Sequence, residues 1–338
     1  MNAAGYISAG DIPKIYRWGI ELIRSIQSIE NPVLTVIIRI LTNMGSGYFY
    51  IPVILLVLWC VDEKQGLRLG LLMLLSVWVN GLCKAFLKLP RPYHLDPAVA
   101  RGFEKSCGLP SGHAQLSLTF SVLLASRLSA SSRRGVKGKT AAWIAAILFS
   151  GIVAFTRLYL GLHFPADLPA GWLLGGIILA VYRFAGKPLE RLVTAGGTRF
   201  QLICAALIAW GMNALGGDRS LGGLFLGFGL GYGLMAKYFP FSAQAAVKGK
   251  KPEPVLLGAR YVLGMTGAIL LYAALGLLLP GERSLFAGLP FWGIGSPYYE
   301  LGYFIRYGLV GLWASAGAPR LFLRLGLAEL HTKEDRRG

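Results

Sequence analysis

An all-α, polytopic transmembrane helical bundle is the fold class this sequence predicts, on three observations. Hydrophobic side chains make up 54% of the 338 residues. Charged side chains make up only 15%, where soluble domains carry ~25%. The charges are also clustered, leaving charge-free gaps at 40–61, 69–83, 106–126, 140–156, 168–182, 200–217, 220–236, 261–281, 284–299 and 307–319. This composition excludes a disordered chain, a disulfide scaffold and an ordinary water-soluble enzyme.

In chain order, residues 1–31 contain no sustained apolar run and no signal-peptide pattern. Within 12–29, Ile12, Ile15, Tyr16, Ile20, Ile23 and Ile26 share one helical stripe, with Lys14, Arg17, Glu21 and Arg24 off it. That pattern predicts an amphipathic helix in the extracytoplasmic interface. A spanning helix needs ~20 mainly apolar residues, ~17–25 at the limits, and a charge at an end can snorkel. Spans are predicted near 46–62, 68–88, 113–129, 140–158, 165–183, 200–217, 220–238, 258–280 and 299–317. The Gly- and Pro-bearing stretch 284–299 reads as a re-entrant or interfacial loop instead. Three regions follow: an interfacial helix over 1–31, a catalytic membrane core over 32–190, and an additional transmembrane bundle over 191–338.

The net charge is +18, from 34 Lys and Arg against 16 Asp and Glu. A nucleic-acid patch or membrane-protein loops would each account for it, and placement decides between them. Cytoplasmic loops retain Lys and Arg. The loop 127–139 holds five: Arg127, Arg133, Arg134, Lys137 and Lys139. If it is cytoplasmic, alternation puts 62–68, 183–199, 237–260 and the tail 318–338 on the same side. That face then carries 21 of the 34 basic residues and the C-terminus. No nucleic-acid partner is needed, and the KGKK run at Lys248–Lys251 reads as a loop beside anionic lipid. The four cysteines make no framework, although a Cys83–Cys107 pair is conceivable. No His/Cys spacing suggests a metal site.

Three polar segments crowd the opposite face, where charge at membrane depth marks function. The first, KAFLKLPRP at 84–92, sets Lys84 and Arg91 two helical turns apart before Pro90 and Pro92 break the helix. The second is PSGH at 110–113. Ser111 suits an N-cap, Gly112 lets a ligand approach the backbone, and His113 falls in the first turn of a helix whose N-terminus can hold an anion. In the third, TRLYLGLHFPAD at 156–167, Arg157 ends one helix and Pro165 opens the next. His163 lies just before that helix and Asp167 in its first turn, so the carboxylate can reach back to one ring nitrogen and leave the other aimed outward. Three cations and helix-end amides suit a phosphate dianion. Two histidines, one with an Asp partner, supply a nucleophile and a proton donor, which together read as phosphoryl transfer through a phosphohistidine.

The pattern Lys84-x6-Arg91-Pro92, Pro110-Ser111-Gly112-His113, Thr156-Arg157-x5-His163-x3-Asp167 resembles the tripartite signature of the type-2 phosphatidic acid phosphatase family, which shares its pocket with the vanadium haloperoxidases. The resemblance covers roughly residues 70–185, and Thr156 stands where the family usually has Ser. It implies that His163 attacks phosphorus and that Asp167 orients it. His113 would protonate the leaving oxygen and then activate water. Lys84, Arg91, Ser111, the Gly112 amide and Arg157 would hold the phosphoryl oxygens, with no metal or other cofactor. It further implies a lipid phosphate substrate whose head group lies at the extracytoplasmic surface. Tyr93, His94, Asp96, Glu104 and Lys105 are candidates for reading the rest of that head group.

Beyond about residue 190 no motif stands out. The Gly-rich run GGLFLGFGLGYG at 222–233 predicts close helix packing. The C-terminal part extends the core, forms a lipid groove or mediates homo-oligomerisation. A lipid phosphatase leads the functional readings. A phosphotransferase passing the phosphate to an acceptor lipid would use the same residues, and a non-enzymatic lipid transporter rests only on the C-terminal half. Among phosphatase substrates, phosphatidic acid, phosphatidylglycerol phosphate, polyprenyl pyrophosphate and sphingoid-base phosphates all fit. The run 104–109 is faintly similar to the sphingosine phosphate phosphatase branch.

Overall fold

The computed structural model describes residues 13–131, 135–216, 219–245, 247, 251–293 and 295–330. The basic positions 133–134, 248–250 and 331–338, and the start of the N-terminal stripe at Ile12, lie outside the described residues. Among those described, the regular structure is helical, apart from isolated bridges such as Phe241 to Leu330. The helices are α1 (Lys14–Gln27), α2 (Pro32–Asn43), α3 (Gly47–Leu56, continued by a π turn to Val61), α4 (Glu63–Leu87), the short α5 (Pro92–Leu95), α6 (Gly112–Ser131) and α7 (Gly135–Tyr159). They continue as α8 (Asp167–Ala195), α9 (Gly197–Gly216), α10 (Arg219–Tyr238), α11 (Pro254–Leu278), α12 (Tyr299–Leu312) and α13 (Ala318–Arg324).

A helix stands at each of the nine predicted spans, yet fewer are long and apolar enough to cross a bilayer. Among the described residues five qualify by length and composition: α4 running on through α5, α7, α8, α9 and α11. The pair α2 and α3, bent by 48°, makes a sixth if it is one span. Helices α6, α10 and α12 fall short of that measure of length and composition for physical reasons. Helix α6 carries Gln115, Ser117, Thr119 and Ser121, all buried. Helix α12 has only 14 residues, and α10 is diluted by glycine. The stretch 284–299 forms turns and places Leu285, Phe286, Leu289, Phe291 and Tyr298 at the surface.

The chain divides into two compact units, residues 1–50 with 79–184 and residues 51–78 with 185–338. The segment 51–78 therefore falls with the C-terminal part, and the later division at 184/185 lies near the expected boundary at 190.

In the first unit α6 lies along α7, and α1 and α2 also pack on α7. The polar side chains of α6 are satisfied internally. Ser117 Oγ meets Ser150 Oγ at 3.0 Å, Trp172 Nε1 donates to Ser150 Oγ at 2.9 Å, and Asn80 Nδ2 donates to Gln115 Oε1 at 2.7 Å. Buried polar groups so paired hold helices together where no water can. Gly171 and Gly175 on α8 allow the close approach: a Cβ at Gly171 would strike the Ser111 carbonyl oxygen, and one at Gly175 would lie 2.9 Å from that of Gln115. Helix α1 is drawn into the unit by its apolar stripe. Ile20 and Ile23 are buried against Val99 and Phe164, and the Gln27 amide donates to the carbonyls of Val99 and Tyr159 at 2.9 and 2.8 Å.

In the second unit α10 packs against α9 and α12. The glycine run does place backbone on backbone: a Cβ at Gly223 or Gly227 would run into the carbonyl oxygens of Phe304 or Gly308. Arg260 is fully buried and donates to the carbonyls of Leu327 and Ala243 at 2.8 and 2.7 Å.

Candidate active site

The last turn of α4 presents Lys84, whose ammonium donates to Ser106 Oγ at 3.1 Å. The helix stops at Leu87, where Lys88 takes a left-handed φ of 51° and Leu89 is held off the helical region by Pro90. Arg91 is thus not on the continuation of α4, as the seven-residue spacing suggested, but sits before α5 as its N-cap residue. Its side chain is wholly buried. Nε donates to the Ser106 carbonyl at 2.7 Å, and Nη1 donates to the Leu162 carbonyl at 2.7 Å and faces His163 Nε2 at 3.3 Å. Nη2 reaches Glu104 Oε2 at 2.6 Å, Ser106 Oγ at 3.0 Å and the Cys107 carbonyl at 3.2 Å.

Ser111 precedes α6 and is fully buried. Its hydroxyl accepts from the Ala114 amide at 3.4 Å, a long capping bond, and its own amide donates to the Asp167 carbonyl at 3.0 Å. That last bond ties the start of α6 to the start of α8. Asn80 donates to the Pro110 carbonyl at 3.3 Å and lies against Gly112, so α4 supports the same turn. The first amides of a helix have no intrahelical acceptor, which leaves the α6 N-terminus suited to an anion. The His113 ring packs against Gly45, where a Cβ would lie 2.6 Å from its Cδ2.

Arg157 belongs to the last turn of α7 and is 2% exposed. It donates to Thr42 Oγ1 at 2.9 Å and to Glu104 Oε1. The chain then reverses through Gly161, at φ 64°, packed on the Val99 carbonyl. His163 follows, 1% exposed. Its Nδ1 lies 3.0 Å from Asp167 Oδ2, the first residue of α8, and that oxygen also accepts from the Phe164 amide at 2.9 Å. The network assigns the proton to Nδ1, as donor to Asp167, and leaves the Nε2 lone pair facing Arg91. Burial first, and then the charges of Arg91 and Arg157, keep the imidazole pKa well below its usual value, so His163 is neutral.

The structure therefore brings Lys84, Arg91, Arg157, His163 and Asp167 into one hydrogen-bonded cluster, with Ser111 joined to it through Asp167. His113 stands in the first turn of α6, at the same helix start that Ser111 caps. Glu104 is the residue that sequence reasoning misplaced. It turns inward and bridges Arg91 and Arg157, where a head-group contact was expected. Burial pushes its carboxyl up, but the charges of Arg157 and Arg91 outweigh that and hold it at about 2. Three other head-group candidates are also engaged inside the protein. The Tyr93 hydroxyl donates to the Glu104 carbonyl at 2.8 Å, His94 Nδ1 accepts from the Arg91 amide at 3.2 Å, and Asp96 pairs with Arg24 at 2.8 Å. Lys105 is exposed. Ser106, Thr42 and Asn80 had no signal in the sequence, because their partners are distant in the chain. Cys83 and Cys107 are not bonded to each other. Chemically, three cations, a helix N-terminus and a neutral imidazole backed by a carboxylate can receive an oxyanion beside a free ring nitrogen.

Known proteins align with both halves of the chain. Residues 65–188 match the model of the PAP2 superfamily, and residues 220–330 match that of the PAP2 superfamily phosphatase transmembrane extension. A probable sphingosine-1-phosphate phosphatase of Dictyostelium discoideum is 27% identical over 314 residues, 89% of this chain and 75% of the relative. An undecaprenyl-diphosphatase of Sulfolobus acidocaldarius is 27% identical over 180 residues, 52% of this chain and 82% of the relative. A transmembrane PAP2-type phosphatidylglycerolphosphate phosphatase of Bacillus subtilis, of known structure, is 22% identical, with 54% of this chain and 92% of that chain covered at a TM-score of 0.46. The first match contains all three polar segments, the second follows it in the order catalytic segment then extension, and on both the chain belongs to the PAP2 superfamily.

Proposed function

We propose that the protein is an integral-membrane lipid phosphatase that removes a terminal phosphate through a phosphohistidine on His163. The observation that carries this reading is the His163–Asp167 pair at 3.0 Å inside a cluster holding Lys84, Arg91 and Arg157. Asp167 fixes the Nδ1–H tautomer, so the Nε2 lone pair attacks phosphorus while the P–O bond to the lipid breaks. The leaving oxygen takes a proton from His113. His113 then removes a proton from water, whose oxygen attacks the same phosphorus, and the P–N bond breaks to release inorganic phosphate and restore His163. Lys84, Arg91, Arg157 and the amides at Gly112 and His113 stabilise the charge that gathers on the phosphoryl oxygens.

An apolar body on the substrate suits the surroundings. A cleft of about 220 Å³ is lined by Cys83, Leu87, Leu109, Pro110, Leu173 and Ile177. Cys83 adjoins Lys84 and Pro110 adjoins Ser111 in sequence, so the cleft borders two of the three phosphate segments. Similarity to the Dictyostelium relative along most of the chain favours a sphingoid-base phosphate as substrate, and similarity to the Sulfolobus relative over about half of it supports a polyprenyl pyrophosphate as the second reading. The side-chain cations supply the positive charge that the reaction needs, and the excess of basic residues in the other loops supports a site on the extracytoplasmic side.

Purified protein should release phosphate from one of four lipids: sphingoid-base phosphate, phosphatidic acid, phosphatidylglycerol phosphate or polyprenyl pyrophosphate. EDTA should not reduce the rate, and His163→Ala should lower it about 10³-fold or more with thermal stability retained. Turnover by His163→Ala above about a tenth of wild type would overturn the nucleophile assignment. Phosphorylated acceptor lipid formed in place of inorganic phosphate would favour the phosphotransferase.

A further inference from the structure

The three cations of the site all donate to one short segment of the protein itself. Lys84 reaches Ser106 Oγ, Arg91 reaches Glu104, Ser106 and Cys107, and Arg157 reaches Glu104. Glu104 takes one guanidinium on each carboxylate oxygen, the arrangement that two oxygens of a phosphoryl group would adopt. The exposures give an order of approach. The Glu104 side chain is 28% exposed, while Arg91 and Arg157 are 0% and 2%. An anion coming from outside meets the carboxylate before it meets either guanidinium. The Glu104 backbone is fixed by Tyr93, whose hydroxyl donates to its carbonyl at 2.8 Å and accepts from its amide at 3.2 Å. Displacement therefore needs only rotation of the side chain, and the tethered carboxylate can return.

We infer that Glu104 is a specificity-determining residue, an internal anion that covers Arg91 and Arg157 and yields to phosphomonoesters but not to phosphodiesters. The inference rests on the reading of the cluster as a phosphate site. A tethered carboxylate competes at an effective concentration of order millimolar or above. A phosphodiester head group carries one negative charge, the same as Glu104, so exchanging one for the other gains nothing electrostatically and must overcome the tether. A phosphomonoester or terminal pyrophosphate brings a second charge to the same two guanidiniums and to Lys84. Diester lipids greatly outnumber any monoester substrate in a bilayer, so a site of three bare cations at its surface would be filled by them. The carboxylate converts an anion trap into a filter for dianions.

The test uses the full-length protein in mixed micelles, with a lipid phosphomonoester as substrate and two inhibitors: orthovanadate as phosphoryl mimic and phosphatidylglycerol as diester. For wild type, orthovanadate should inhibit, and a tenfold molar excess of phosphatidylglycerol over substrate should not. In Glu104→Gln the inhibition constant for orthovanadate should fall about tenfold, and phosphatidylglycerol should become a competitive inhibitor. Glu104→Asp should restore the wild-type pattern. A residue that merely props the arginines would move both readouts the other way, because loss of support weakens anion binding. An unchanged or raised orthovanadate constant in Glu104→Gln overturns the inference and leaves the phosphatase reading standing. No phosphate release by wild type from any lipid overturns that reading itself. Should Glu104→Gln not fold, Tyr93→Phe loosens the tether and should lower the orthovanadate constant by a smaller factor; no change there also overturns the inference.

Discussion

His163 and Asp167 owe their pairing to four residues of chain: His163 lies in the loop before α8 and Asp167 is its first helical residue, so the two side chains meet at 3.0 Å. So local a device is legible in a sequence, and the role of His113 can be tested at the same scale. If His113 protonates the leaving oxygen, His113→Ala should slow the first-turnover transfer of phosphate from a lipid phosphate to His163 by ~10²–10⁴-fold. The loss should be far smaller for a nitrophenyl phosphate, whose leaving group needs no proton. Equal losses for both substrates would remove His113 from that role. Glu104 shows the opposite case. One acid in the irregular loop before PSGH has no periodic signal, and its two arginine partners come from segments 13 and 53 residues away. Its carboxyl is held at about 2 in the folded protein, against ~4.3 unfolded. The unfolded chain therefore takes up the proton first as pH falls. The stability that Glu104 supplies is present above about 4.3 and is lost between there and about 2. Melting temperatures of wild type and Glu104→Gln should differ most at neutral pH and converge as pH falls through that window. A gap that persists at pH 2 would contradict the ion-pair geometry.

At the scale of elements, helix positions followed from charge-free gaps and caps, and Lys84, Ser111 and His113 fell on the helix ends where the pattern put them. Arg91 did not, because Lys88 and Pro90 end α4 before the second helical turn is complete. The packing of α1 was half legible: its stripe is plain in the sequence, but nothing there says that Val99 and Phe164 cover it. A helix that hides polar residues against its neighbours, as α6 does with Gln115, Ser117 and Thr119, is less apolar than a span that faces lipid all round. The junction of α6 with α8 is where packing and chemistry meet. Gly171 packs on the Ser111 carbonyl, and the Ser111 amide donates to Asp167 at 3.0 Å. Gly171→Leu should force the two helix starts apart and cost about 1–3 kcal/mol by overpacking, read as a lower melting temperature together with reduced kcat. Gly151→Leu, on α7 where no neighbour lies within 4 Å, should leave both unchanged. Equal effects at the two glycines would mean that the junction does not position the site.

For the whole molecule, the +18 charge resolves into two populations. Most of the basic residues lie in loops that the charge pattern of the sequence predicts for the cytoplasmic face. Lys84, Arg91 and Arg157 instead stand in one cluster with an internal carboxylate between them. The PAP2 superfamily segment and its transmembrane extension account for the two long stretches of similarity, and the proposed chemistry resides entirely in residues of the first compact unit. The central claim, a covalent phosphohistidine on His163, is tested most directly by trapping it. Protein mixed with a lipid carrying ³²P in its terminal phosphate and quenched in alkali within the first turnover should retain label. The bond should be alkali-stable and acid-labile, as a P–N linkage is, and absent from His163→Ala. Rapid turnover by wild type with no trapped label, or label that persists in His163→Ala, would contradict it.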